Sequence, residues 1–161
     1  MSYQKLQGYI AVDVFRSDNA NVPFPNIAAE GAATSTSGSK LVDSNAGFVK
    51  AGVKEGDIVY DTTNRASATV IEVIDDQNLM LNVAIMVSGD TYIIYVANPA
   101  SGADDANNGC VLYVGETGDI KVTTIGGSTV TFKAMPVGFV PVQVKKVWAT
   151  DTTAKDIIAL W

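Results

Sequence analysis

Regular alternation of apolar and polar residues is clearest in the last third of the chain. In residues 120–123 and again in residues 129–133, apolar and polar side chains take turns along the sequence. This period of two is typical of a β-strand that is buried on one face. Gly126 and Gly127 stand between the two runs and can adopt the positive φ angles of a tight turn. The pattern predicts a β-hairpin.

The alternation continues beyond the hairpin but slips once. Within residues 140–144 the even positions are apolar, whereas after Lys145 and Lys146 the odd positions Val147 and Ala149 are apolar. A slip of one residue predicts a β-bulge near Lys145 and Lys146. Residues 157–161 are almost entirely apolar and predict a closing strand.

The first forty residues have three different patterns. Residues 9–15 are apolar apart from Asp13 and predict a strand, followed by a turn-rich stretch over 17–21. Each proline of Val22-Pro23-Phe24-Pro25 favours extended backbone before it, so this piece predicts an extended arm with Phe24 exposed at its tip. Residues 28–39 are small and read as a linker.

The middle of the chain predicts a separate unit. Five short apolar segments with turns between them occupy residues 40–96, which is typical of a small barrel or sandwich. A second turn-rich linker follows over 98–108. We therefore predict an all-β protein with an N-terminal strand, arm and linker over 1–39, an inserted small β-barrel over 40–97, and a C-terminal β module over 98–161. The strands of the two outer segments would form one discontinuous β-sandwich or jelly-roll-like module.

Composition narrows the function. The 161 residues are 47% hydrophobic and 17% charged, which is enough apolar material for a core. A net charge of −6 disfavours a nucleic-acid partner, because phosphate binding relies on clustered Lys and Arg. The chain has no His, so it lacks the commonest general base and metal ligand. Together these features disfavour most enzyme classes, and we predict no cofactor.

Single residues add little chemistry. Cys110 is the only cysteine, and its place before an apolar strand predicts a buried, unreactive thiol. Asp104, Asp105 and Asn107 faintly resemble a calcium loop but lack its closing Glu. Glu55, Asp57 and Asp61 could in principle act as a glycosidase pair, although a solvated rim is the simpler interpretation.

Targeting features are also sparse. The first residues lack the basic and apolar parts of a signal peptide, and no apolar run approaches the roughly 18 residues of a membrane span. We therefore expect a soluble protein made in the cytoplasm, with no membrane partner.

Ten short segments follow one another in a characteristic order, nine of them in the C-terminal third and one near the start: 14–18, 112–115, 118–120, 126–127, 130–132, 136–138, 141–142, 147–150, 152–154 and 159–161. In this order they resemble the head-decoration and spike-base proteins of tailed bacteriophages and gene transfer agents. The middle segment, from 40–43 through 56–60, resembles small β-barrels of phage structural proteins.

This resemblance implies a virion structural protein on the capsid exterior. Such a protein would be a decoration, or cement, protein that contacts the major capsid protein and forms a homo-oligomer, most simply a trimer. Two alternatives remain open: a low-copy spike base, tail or neck component that attaches a fibre, and a carbohydrate-binding module with exposed aromatic faces. The residues that we expect at interfaces are Phe15, Phe24, Pro25, Phe139, Trp148 and Trp161.

Overall fold

A computed structural model describes residues 10–96 and 109–161, and nearly all of its regular structure is β. The all-β prediction is confirmed. The described residues divide into two compact units, one made of 10–22 with 109–161 and the other of 23–96. In chain order the elements are β1 Ala11–Asp13, β2 Ile27–Ala32, β3 Ser35–Ser37, β4 Lys40–Val42, α1 Phe48–Ala51, β5 Ile58–Asp61, β6 Ala66–Val73, β7 Asn78–Leu81, β8 Thr91–Tyr95, β9 Val111–Glu116, β10 Gly118–Thr124, β11 Thr129–Met135, β12 Gly138–Phe139, β13 Val144–Val147 and β14 Lys155–Leu160.

The first unit is a sandwich of two antiparallel sheets. One sheet has the order β1-β14-β9-β12 and the other the order β11-β10-β13. Both sheets contribute to one core, because the inward residues of β9 and β14 and those of β10 and β13 belong to the same buried cluster. The N-terminal strand β1 pairs with β14, which confirms that the two ends of the chain share a sheet. The strand orders do not establish a jelly roll, which stays a prediction.

Both local predictions for the C-terminal module are confirmed. The β10–β11 hairpin turns at Gly127, which has a φ of 89°, and the Thr124 N–H donates to the Ser128 carbonyl at 2.9 Å. Between β10 and β13 the register shifts: Thr123 lies opposite Lys146, while Thr124 lies opposite Val144. The extra residue is Lys145, so the bulge lies where the slip in alternation placed it.

The second unit contains one seven-stranded antiparallel sheet, and the predicted barrel stays a prediction. Its sheet has the order β2-β8-β5-β6-β7-β4-β3, so β2 and β3 lie at opposite ends of the order. Only Ala33 and Thr34 separate these two strands, and their N–H groups donate to Asp90 on one side and to Val42 on the other, each at 2.8 Å. One bent stretch of chain therefore joins both edges of the sheet.

The linker predicted over residues 28–39 is wrong, because β2 and β3 occupy it. At two of these positions close packing requires a small residue. A Cβ atom on Gly31 would lie 2.6 Å from the Tyr92 hydroxyl and 2.7 Å from Asp43 Oδ2, and Ala33 is buried. The second unit accordingly begins at Pro23, well before the predicted boundary at residue 40. The second predicted linker, 98–108, lies outside the described residues, as does the calcium-loop resemblance.

A buried hydrogen bond joins two distant segments of the second unit. The Tyr92 hydroxyl donates to Asp43 Oδ2 at 2.7 Å, and both residues are buried. Burial and the Asp43 carboxylate raise the pKa of Tyr92 well above its usual value, so the hydroxyl stays protonated and keeps donating.

We expect Tyr92→Phe to lower the free energy of unfolding of the second unit by about 1–3 kcal/mol, because Asp43 keeps a buried oxygen without this donor. Tyr95→Phe is the matched control, since it removes a buried hydroxyl and leaves Asp43 untouched. Urea unfolding followed by circular dichroism measures both variants. Equal losses of stability would contradict a special role for the Tyr92–Asp43 bond.

Candidate interaction surface

The most distinctive surface of the first unit is the outer face of the β1-β14-β9-β12 sheet. Residues directly opposite one another on antiparallel strands lie on the same face. Leu112 lies opposite Ala159 and Val114 opposite Ile157, and all four are buried in the core. The residues that alternate with them therefore point away from the core.

These outward residues are apolar. Tyr113 lies opposite Ile158 on one side and Phe139 on the other, and Val111 lies opposite Leu160. We call Val111, Tyr113, Phe139, Ile158 and Leu160 the apolar face. In the isolated chain Phe139 is 55% exposed and the other four are half-buried.

Phe139 extends the apolar face to the edge of the sheet. Its ring packs edge-on against Tyr113, with ring centroids 5.5 Å apart and an interplanar angle of 68°. Nearby in sequence, Val137 is 54% exposed. Aromatic residues with large exposed area are typical anchors of protein interfaces. Of the six residues that the sequence predicts at interfaces, Phe139 is the one whose exposure suits that role best.

Trp148 lies instead on the outer side of the other sheet, where its ring is held in place. Its indole N–H donates to Thr123 Oγ1 at 2.9 Å, and its backbone N–H donates to the Lys121 carbonyl at 2.9 Å. The Lys146 ammonium lies 3.9 Å from the ring centroid, which is close enough for a cation–π contact. Trp148 is half-buried, so its contacts within the chain account for its position.

The other predicted interface residues are less exposed than expected. Phe15 and Trp161 are half-buried, and Trp161 packs against the core of the first unit beyond the end of β14. Phe24 and Pro25 are also half-buried, so the prediction of an exposed Phe24 at the tip of an arm is wrong. Pro23, which precedes Phe24, is buried in the folded chain.

The turn at residues 17–21 is hydrogen-bonded to Thr150, which follows β13 in sequence. Thr150 donates to Asp18 through both its hydroxyl, at 2.6 Å, and its backbone N–H, at 3.0 Å. These hydrogen bonds hold the pKa of Asp18 below its usual 3.8. The Lys146 ammonium donates to the Asp18 carbonyl at 2.8 Å, and burial lowers the pKa of Lys146.

Stability of the first unit is therefore expected to depend on Asp18 ionisation. A carboxyl whose pKa is lowered on folding stabilises the fold fully above about pH 4, and this contribution is lost as the pH falls through the lowered value. We expect the difference in melting temperature between the natural protein and Asp18→Asn to be largest near neutral pH and to shrink below about pH 4. Thermal melts across this range measure it, and a difference independent of pH would contradict the assignment.

The carboxylates considered for glycoside hydrolysis have structural roles. Glu55 is exposed, but Asp57 and Asp61 are buried, so the prediction of a solvated rim is wrong for these two. The Asp57 carboxylate accepts the Lys54 N–H at 2.8 Å. The Asp61 carboxylate accepts the N–H groups of Thr63 and Asn64, which lie in the turn after β5. Such bonds stabilise turns.

Other reactive or metal-binding chemistry is limited in the part of the chain that the structure describes. Cys110 is buried as predicted, and burial raises the pKa of its thiol to about 12. No group of three or more acidic or cysteine side chains within 10–96 and 109–161 could hold a metal ion. No helix among those residues is long and apolar enough to cross a membrane.

No protein-family model matches this chain, and no curated protein or solved structure matches it either.

Sequence reasoning missed most of the apolar face, although the sequence contains a signal for it. Residues 111–114 and 157–161 are continuous apolar runs, while residues 120–123 of the neighbouring strand β10 alternate. Continuous runs are typical of strands that are covered on both faces. In the first unit β9 and β14 have one face in the core, and their apolar runs continue onto the outer face at Val111, Tyr113, Ile158 and Leu160.

Proposed function

We propose that this protein is a decoration, or cement, protein on the exterior of a tailed-phage or gene-transfer-agent head. The resemblance of its C-terminal third to such proteins suggests the particle. The apolar face suggests the mode of attachment, because an extended apolar surface on a folded unit is typical of a protein–protein interface. The partner is the major capsid protein.

The apolar face is the observation that carries this proposal. Val111, Tyr113, Phe139, Ile158 and Leu160 occupy adjacent positions of one sheet and carry no charge. Charged groups border these residues: Asp13 lies opposite Ile158 on β1, and Lys155 pairs with Glu116 at 3.0 Å. An apolar centre with a charged rim is the usual anatomy of a stable interface.

Charge is compatible with a position outside the shell. The chain has 17 acidic and 11 basic residues, so it would be repelled by packaged DNA. Attachment as a homo-oligomer would repeat the same contact several times and raise the overall affinity.

The carbohydrate-binding alternative is less favoured by the positions of aromatic residues. Sugar binding by stacking needs an exposed aromatic face, and in the second unit the side chains of Phe48, Tyr60, Tyr92 and Tyr95 are buried. Trp148, in the first unit, has a lysine over its ring. These placements disfavour glycan stacking on the second unit and on Trp148.

The copy number of the protein in purified particles tests the proposal. Quantitative mass spectrometry against the major capsid protein is expected to give a ratio near one to one. A ratio far below one would replace the decoration role by that of a spike base, tail or neck component. Absence from the particles would overturn the assignment to a virion.

A further inference from the structure

The edge strand β11 has a free hydrogen-bonding edge. β11 covers Thr129–Met135 and pairs with β10 on one side only. On its other side, no residue within the described ranges donates to or accepts from the backbone of residues 129–133. Unpaired strand edges of this length readily pair with another strand.

The register of the hairpin identifies the free groups. The Thr124 N–H donates to the Ser128 carbonyl, and two residues further along each strand Val122 lies opposite Val130. Hydrogen-bonded pairs recur at every second position of an antiparallel ladder, so Val130 and Phe132 direct their backbone groups towards β10. Thr129, Thr131 and Lys133 therefore direct theirs away from the sheet.

Two apolar side chains of β11 are only partly covered by the rest of the sandwich. Val130 and Phe132 are on the core side of the sheet, opposite the buried Val122 and Ile120. Val130 is nevertheless 40% exposed, and Phe132 is half-buried and packs against the margin of the core. A further strand beside β11 would cover both side chains.

β11 has few of the features that usually protect an edge. It has no proline, and its one charged side chain, Lys133, is bound to Asp119 at 2.6 Å. The strand bends only near its end, where Ala134 has a φ of 46° and donates its N–H to Asp119 at 2.9 Å. Residues 129–133 thus form a regular and accessible edge before the bend.

We propose that β11 pairs with β11 of a second copy of this chain, antiparallel and about a two-fold axis at Thr131. Thr131 is the midpoint of the regular segment, and it faces its own counterpart in this arrangement. Thr129 then lies opposite Lys133 of the second copy, so all the outward backbone groups find partners. The two three-stranded sheets become one six-stranded sheet.

The side chains favour a second copy as the occupant. In this register Val130 of one copy lies beside Phe132 of the other on the core side, and Thr131 lies beside its counterpart on the outer side. Aromatic with β-branched pairs and Thr–Thr pairs are among the favourable cross-strand combinations. No like charges lie opposite each other, which matters because two copies with a net charge of −6 repel elsewhere.

The test uses the purified full-length protein and two substitutions at one position. Thr131→Pro removes an outward N–H and leaves the ladder to β10 intact, whereas Thr131→Val keeps the N–H. Sedimentation across a concentration series is expected to show a dimer for the natural protein and for Thr131→Val. The dissociation constant of Thr131→Pro is expected to rise at least about tenfold, because two hydrogen bonds across the axis are lost.

A third variant guards against misfolding of the proline variant. Thr131→Lys places two ammonium groups opposite each other at the axis, on the outer face of the sheet, and is expected to weaken the dimer most at low salt. Circular dichroism and thermal melts establish that each variant is folded. A natural protein that stays monomeric at every concentration, or a folded Thr131→Pro or Thr131→Lys variant that dimerises as well as the natural protein, would overturn the proposal.

Discussion

Replacing Gly118 with alanine is expected to lower the free energy of unfolding of the first unit by at least about 3 kcal/mol, which is a large part of the stability of a small domain. The Cβ atom would overlap the backbone nitrogen of Ala154, and it would lie 2.7 Å from the Ala154 Cα and 2.8 Å from the Thr153 carbonyl carbon. Backbone atoms cannot rotate away as a side chain can.

The two segments that meet at Gly118 are also fixed to each other. The Asp119 backbone carbonyl accepts the N–H groups of Thr153 and Ala154 at 2.8 and 3.1 Å. The Asp119 backbone N–H donates to Thr153 Oγ1 at 2.9 Å. Moving them apart to fit a methyl group would break these bonds and open the buried side chain of Ala154 to water.

Gly126→Ala is the matched control, because its Cβ would meet nothing closer than Thr124 Oγ1 at 3.8 Å. This substitution is expected to change stability by no more than about 0.5 kcal/mol. Both tryptophans of the chain, Trp148 and Trp161, belong to the first unit, so tryptophan fluorescence during denaturant unfolding reports on this unit. Similar unfolding midpoints for the two glycine variants would contradict the close approach at Gly118.

Replacing Ile158 with glutamate is expected to remove the protein from the particle while leaving it folded. Ile158 belongs to the apolar face, with Tyr113 opposite it on β9 and Asp13 opposite it on β1, and is half-buried in the isolated chain. In the proposed complex its side chain is covered, so a glutamate there would be buried without a partner. Occupancy is expected to fall at least about tenfold, because an unpaired buried carboxylate costs more than the 1.4 kcal/mol of a tenfold change.

Thr117→Glu provides the comparison for charge alone. Thr117 is exposed in the connection between β9 and β10, so the variant adds the same charge to the same unit outside the apolar face. Particles assembled with each variant are purified, and the ratio of the variant to the major capsid protein is measured by mass spectrometry. Normal occupancy of Ile158→Glu, or equal loss for Thr117→Glu, would contradict attachment through the apolar face.

The regular parts of the fold could be predicted from the sequence because alternation and turn residues agree there. The β10–β11 hairpin has a period of two on both strands and a glycine at its turn, and the slip near Lys145 produces a bulge. Local pattern and tertiary structure require the same residues at these positions.

The strands β2 and β3 could not be predicted, because their residues are mostly small and show no clear alternation. Gly31 lies against the Tyr92 hydroxyl and Asp43, and Ala33 is buried between the two strands. From sequence alone, small residues that pack closely cannot be distinguished from small residues in a linker. The four-residue helix α1 is likewise too short to show a helical period.

The sequence pattern did not show which residues of β9 and β14 lie on the outer face of the sheet. Tyr113 and Ile158 were absent from the predicted interface because an apolar residue in a strand is usually assigned to the core. Their place on the outer face becomes evident only once the register shows that Leu112 and Ala159 occupy the inner face. Pairing between strands that are distant in sequence was needed to separate the two faces.

The most direct test of this account is hydroxyl-radical footprinting of the protein free and on purified particles. The account predicts that Tyr113 and Phe139 are oxidised in the free protein and strongly protected on particles. Val49, which is 59% exposed in the second unit, serves as a reference that is oxidised in both states. Equal oxidation of Tyr113 and Phe139 in the two states would contradict the claim that the apolar face is the surface that binds the shell.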